Sequence, residues 1–308
     1  MQGSEMRSGV LGIVIATLAA ASLAACSANG GGQAAGGGQS QAGQARQAAA
    51  VKPEKIFAAP KDLLAAAQPQ PNGTLWALAG NDRSKGLFDI NLATGSELGS
   101  RSVSNDAQSV TESLAGVIGL ALGTGRTGAL ELLDGSTGKV TRTVSLGAPA
   151  RDVVVGSDGA TFYVLNGTPK SASVTVVNSR TGGVWGTVPV PLNTVSIAPD
   201  AQGVSLYALQ PNGLVSQIAV AGGKIMSSFS VGSAGRSLAL SPDGSSLYVL
   251  KDAGTGTNVA EVDLATESVQ RVLPSPADCL QVLVSADGSE LYQVVGTATF
   301  GNIQVFPS

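Results

Sequence analysis

Histidine is absent from the 308 residues, so no Ser-His-Asp or Cys-His arrangement and no histidine-ligated metal can be built. Acid–base chemistry would fall to carboxylates, and Glu112, Glu131 and Glu261 are the candidates. They occupy different places in the repeat described below, one on an inner strand and two on outward-facing third strands. An enzyme needs converging groups, and these do not converge. Gln108, Arg151, Asn193 and Arg236 stand 43, 42 and 43 residues apart, with Leu280 44 further on. Two guanidiniums beside two amides suit an anionic ligand or the carboxylate of a partner protein; the plainer reading is that strand-leading loops are polar and solvated. Asp158, Asp200, Asp243 and Asp287 suggest calcium only superficially. No Asp-x-Asp-x-Asp-Gly ladder surrounds them, and Asp-Gly is what a tight turn prefers. The expectation is a non-catalytic module without cofactor or metal. A carboxylate-based lactonase or hydrolase, or a ligand-sensing subunit, is the alternative.

The elements that would position these residues repeat. Tyr163, Tyr207, Tyr248 and Tyr292 are 44, 41 and 44 residues apart, and Gly119 and Trp76 extend the series backward at 44 and 43. A second marker keeps the same beat: Gly95, Gly138, Gly182, Gly223 and Glu267 close small turns at spacings of 43, 44, 41 and 44. A period near this length marks a β-propeller. Six modules result, and seven blades stay open because a degenerate module can hide. In the clearest module, residues 238–240, 246–250, 258–264 and 268–273 read as four strands, with Ser241-Pro242-Asp243-Gly244 as the first turn. The last module stops after Asn302-Ile303-Gln304-Val305-Phe306, while Glu54-Lys55-Ile56-Phe57-Ala58 precedes the first module with no place in it. The second segment is therefore expected to supply the fourth strand of the last blade, closing the ring and removing sheet edges.

The same register disposes of a nucleotide motif. Gly123-Thr124-Gly125-Arg126-Thr127-Gly128 matches the dinucleotide fingerprint, which needs a helix to follow. Here Ala129 to Leu133 falls on a third strand, so the motif is expected to be a hairpin turn.

Ser241-Pro242-Asp243-Gly244-Ser245-Ser246-Leu247-Tyr248-Val249 resembles the YVTN-type propeller repeat of bacterial surface proteins, and residues 285–292 are similar. The resemblance covers roughly residues 54–308 and is strongest over the last four modules. The first two are degenerate, with Pro71-Asn72-Gly73 and Leu114-Ala115-Gly116 in place of the acidic turn. It implies a propeller in the cell envelope and no particular activity.

After Arg7 an apolar stretch from Val10 to Leu23 ends in Leu23-Ala24-Ala25-Cys26, which resembles a bacterial lipobox. The stretch is short and rich in small residues for a transmembrane helix. The resemblance implies cleavage after Ala25, leaving residues 1–25 as signal peptide, and an acylated Cys26 holding the chain on the extracytoplasmic face of a bacterial membrane. Met6-Arg7 is a second candidate start. Residues 26–52 are then lipidated cysteine and tether. Residues 27–50 are almost entirely Ala, Gly, Gln and Ser, which cannot bury enough apolar area to fold and span roughly 27 Å as a coil. The propeller occupies residues 53–308. With Cys26 acylated, Cys279 has no partner and is expected to be a buried thiol rather than a reactive one. A net charge of −3 and a pI near 5.0 argue against nucleic acid. The expected partners are the membrane, through Cys26, and a protein or cell-wall component; the expected state is a monomer.

Overall fold

The computed structural model describes residues 46–47, 52–123, 126–168, 170–232, 234–254 and 256–308. The expected signal peptide, Cys26 and most of the tether lie outside the described residues. Six antiparallel sheets follow one another along the chain, each built from four consecutive strands except the last. Blade 1 comprises Leu63–Ala66, Thr74–Asn81, Ser84–Asn91 and Glu97–Val103. Blade 2 comprises Ala107–Glu112, Val117–Leu122, Ala129–Asp134 and Val140–Ser145, and blade 3 Ala150–Val155, Thr161–Thr168, Ser171–Asn178 and Val184–Pro189. Blade 4 comprises Ser196–Pro199, Ser205–Leu209, Leu214–Ala219 and Ile225–Ser230, and blade 5 Gly235–Leu240, Ser246–Asp252, Thr257–Asp263 and Ser268–Ser275. Blade 6 takes Cys279–Val284, Glu290–Gly296 and Gly301–Pro307 from the C-terminal end. The protein is a six-bladed β-propeller, and the described residues contain no helix.

The ring closes as the sequence predicts. Lys55–Ala59 runs antiparallel to the third strand of blade 6, pairing Lys55 with Val305, Phe57 with Ile303 and Ala59 with Gly301. Phe57 is the anchor of this strand: it is buried and packs with Leu63, Leu75 and Ile90 of blade 1 as well as Ile303 of blade 6. Arg46 and Gln47, from the segment read as tether, pair in parallel with Arg271 and Val272 on the outer strand of blade 5.

The core is divided among the seams between blades. Six apolar clusters are present among the described residues, one at each seam. Strands packed on both faces read as continuous apolar runs, as in Phe162-Tyr163-Val164-Leu165 and Leu247-Tyr248-Val249-Leu250, all buried. Where four blades carry tyrosine, blade 2 carries Gly119. A Cβ there would lie 2.8 Å from the Phe162 ring of blade 3, which fills the space. The turn between first and second strands closes on a left-handed glycine in every blade, Gly159 (φ 61°) and Gly244 (φ 74°) among them. At the turn between third and fourth strands the sequence marker ends in Glu267, which holds the glycine conformation at φ 50°.

Candidate functional site

The inner strands of all six blades line a central channel, and their sequence puts one polar residue at the same height in five of them. Ala65, Ser109, Asp152, Ser196, Ser237 and Gln281 are spaced 44, 43, 44, 41 and 44. Ser109 Oγ accepts from Val153 N of blade 3 at 3.3 Å, Ser196 Oγ from Leu238 N of blade 5 at 3.3 Å, and Ser237 Oγ from Val282 N of blade 6 at 3.3 Å. Asp152 accepts from Ile197 N of blade 4. Gln281 Oε1 accepts from Ala66 N of blade 1 at 2.8 Å, carrying the belt across the closing seam. Blades 2 to 6 thus each satisfy a backbone donor of the next blade in the ring. Only Ala65, facing the seam between blades 1 and 2, offers no side-chain acceptor among the six. Burial pushes the Asp152 carboxyl up, opposed by the Ser109 hydroxyl, which donates to it at 2.9 Å, and by backbone N–H groups.

Where the inner strands end, a cavity of about 440 Å³ opens at the channel mouth, bounded by all six blades. Its uppermost ring is Gln68, Glu112, Val155, Pro199, Leu240 and Val284. Four of these are apolar; the amide and the carboxylate sit on blades 1 and 2, the degenerate modules. The blade 1 loop leans across this side: Gln70 Nε2 donates to the Gln68 carbonyl at 3.2 Å and the Glu112 carbonyl at 3.4 Å. Leu114 is 64% exposed at the rim.

The Glu112 carboxyl lies in the seam between blades 1 and 2, beside Trp76 and Asp89. Its carboxylate accepts from the Trp76 indole of blade 1, yet its pKa is raised to about 7, first by burial and then by the nearby Asp89 carboxylate. Asp89 is paired across strands with Trp76. Burial raises its pKa also, and Arg101 opposes the rise. Glu112 Oε2 and Asp89 Oδ1 are buried with no hydrogen-bond partner among the described residues. Arg101 lies 4.9 Å from the Trp76 ring centroid and donates to Gly135 O of blade 2 at 2.8 Å. The polar stripe Glu112, Trp76, Asp89 and Arg101 therefore runs along the one seam where the belt has no side-chain acceptor.

The other singled-out carboxylates have structural tasks. Asp243 accepts from Ser241, Ser245 and the Ser245 backbone, and Asp287 likewise from Ser285 and Ser289, which holds the Asp287 carboxyl at about 2. Asp158 caps Ala160 and Thr161, and Asp200 caps Val204 and Ser205. Glu261 is paired with Arg271. Glu131 lies on the third strand of blade 2, its pKa raised by burial. Cys279 is fully buried, and burial raises the pKa of its thiol.

Of the channel-mouth set, Gln108 and Arg151 share one cleft at the opposite end of the inner strands, and Arg126 joins them there. Gln108, Arg151 and Arg236 are the extra residues of β-bulges that open the inner strands. Arg236 is engaged elsewhere, pairing with Asp252 at 2.6 Å and donating to Cys279 O at 3.3 Å. Asn193 is not at the equivalent place: it lies before the inner strand of blade 4 at φ 63°, and Val195 takes the register position. Asp200 stands three residues before its turn glycine instead of one, so counting back from the aspartate slips by two. The belt and the Trp76–Asp89 stripe were not singled out from sequence. Polar residues at the module spacing inside apolar inner strands are the signal that marks the belt.

Compared with known protein families and with curated proteins, the chain matches none.

Proposed function

We propose that the chain is a bacterial lipoprotein, anchored through Cys26 on the extracytoplasmic face of a membrane, whose propeller binds a protein or cell-wall component without chemical turnover. The anchoring half rests on Leu23-Ala24-Ala25-Cys26 after an apolar stretch, and the envelope setting on the likeness of Ser241–Val249 to YVTN-type surface repeats. The binding half rests on one observation above all. The mouth cavity is bounded by all six blades with a mostly apolar upper ring, the Asp152 carboxyl in it is bonded by blades 2 and 4, and the Glu112 carboxyl accepts from Trp76 of blade 1. Apolar concavity with a few placed polar groups favours binding. Acid–base work or ligand sensing in the channel is a second reading, favoured by the raised pKa of Glu112, at about 7. A photo-crosslinking residue at Leu114 in intact cells tests the first. A discrete adduct that is lost when the crosslinker is moved to the outer-rim position Trp185 supports it, and no adduct at Leu114 counts against it.

A further inference from the structure

We infer that the cleft between blades 2 and 3, at the opposite end of the inner strands from the mouth cavity, is a second binding site, one for a phosphoryl group. The inference is independent of the anchoring and of what the mouth cavity binds. The cleft has a volume of about 800 Å³ and its lining carries the guanidiniums of Arg126 and Arg151, the Gln108 amide and Thr168, with no carboxylate. Neither arginine is in an ion pair among the described residues. Two unpaired guanidiniums facing one concavity repel each other and gain most from a shared anion.

The local fold explains how they come together. The glycines that mimic a nucleotide fingerprint let the blade 2 hairpin lie against the segment leading into blade 3. A Cβ on Gly123 would fall 2.0 Å from Ala150 O, and one on Gly128 2.3 Å from Ala148 O. With both positions bare, the hairpin arm carrying Arg126 reaches the bulge residue Arg151. Gln108 is the corresponding bulge residue of blade 2. Its amide already donates to Asp106 O at 3.1 Å and keeps a second N–H. The motif thus serves an oxyanion through side chains, on a hairpin, where a nucleotide fold would use a helix N-terminus.

Between oxyanions the geometry favours phosphoryl over carboxylate. A carboxylate has two oxygens and is filled by one guanidinium fork, whereas a phosphoryl group presents three acceptor oxygens and up to two charges. A phosphomonoester in solution and a phospholipid headgroup offer the same chemistry.

Calorimetric titration of the full-length chain in detergent at pH 7.5 tests this with inorganic phosphate, sn-glycerol 3-phosphate, dihexanoyl phosphatidic acid and acetate as probes. Saturable phosphate binding is expected, weakened about tenfold or more by Arg126→Gln and by Arg151→Gln, with acetate about tenfold weaker than phosphate. Arg83→Gln, on the exposed hairpin of blade 1, should leave it unchanged. Equal affinity for the two glycerol phosphates assigns a free phosphomonoester, and tighter binding of the dihexanoyl compound assigns a lipid headgroup. No saturation by any phosphate probe, or the same affinity in wild type and both variants, overturns the site.

Discussion

Ala66 and Gln281 lie 215 residues apart in the chain, and the backbone N–H of one donates to the side-chain oxygen of the other at 2.8 Å. The contact repeats across the closing seam what Ser109, Ser196 and Ser237 do at other seams, so the ring is joined at its centre as well as at its rim. Gln281→Leu should leave a backbone donor unsatisfied and cost about 1–3 kcal/mol. Ala65→Ser, which supplies the acceptor lacking between blades 1 and 2, should gain about 0.5–1.5 kcal/mol. Urea midpoints of both variants measure the pair. A neutral Gln281→Leu would remove the belt from the stability argument.

The rim closure makes a separate prediction. Phe57→Ala should cost about 3–5 kcal/mol, because a buried ring that packs against two blades leaves a cavity. Deleting residues 52–59 should broaden the unfolding transition, since it exposes the third strand of blade 6. Calorimetry that finds the deletion variant as cooperative as the parent would contradict the closure.

Glu267 occupies a left-handed position that glycine fills in four other blades. Glu267→Gly should stabilise the propeller by about 0.5–1 kcal/mol, the left-handed strain released less the backbone entropy of glycine. A thermal midpoint that falls would mean the Glu267 side chain contributes more than its backbone costs.

Glu112 should make stability fall with rising pH. Its pKa in the folded state is raised to about 7 from the ordinary 4.5, so its contribution is fully present below the unfolded value and is lost as pH rises through the folded one. The raised pKa of Asp89 acts in the same direction. After discounting for solvent screening, Glu112→Gln should gain about 1 kcal/mol at pH 8 and little at pH 4.5. Denaturation at the two pH values checks this; an equal effect at both would exclude titration as the cause.

Much of this architecture was legible in the chain because its markers obey backbone geometry. The Tyr163-to-Tyr292 series and the turn glycines recur wherever a strand or turn must recur, and unmatched strands at residues 54–58 and 302–306 pair as expected. The same register correctly makes Ala129 to Leu133 a third strand, paired antiparallel with Val117–Leu122, where a nucleotide fold would start a helix. Site residues were less legible because side chains at one register position differ in type. Ser109, Asp152 and Gln281 do one job with three chemistries, and Trp76 with Asp89 belongs to the module that departs most from the repeat. Asn193 misses the register because Asp200 opens its turn, at the place Ser241 holds in blade 5, whereas Asp243 is the third residue of a turn of the same length; Gly203 keeps the repeat spacing.

The proposed anchoring of the propeller at a membrane surface underlies the reading of a protein or cell-wall partner, and the mass of the N-terminus of the protein made in cells tests it most directly. Protein purified from the membrane fraction of cells should begin at Cys26 bearing a diacylglyceryl group and an amide-linked acyl chain. Each buried CH₂ contributes about 0.8 kcal/mol, so chains together retain the protein where one would not. Cys26→Ser should incorporate no labelled fatty acid and should accumulate as precursor or leave the membrane. Wild-type protein found wholly soluble, with an unmodified thiol at Cys26, would contradict the account.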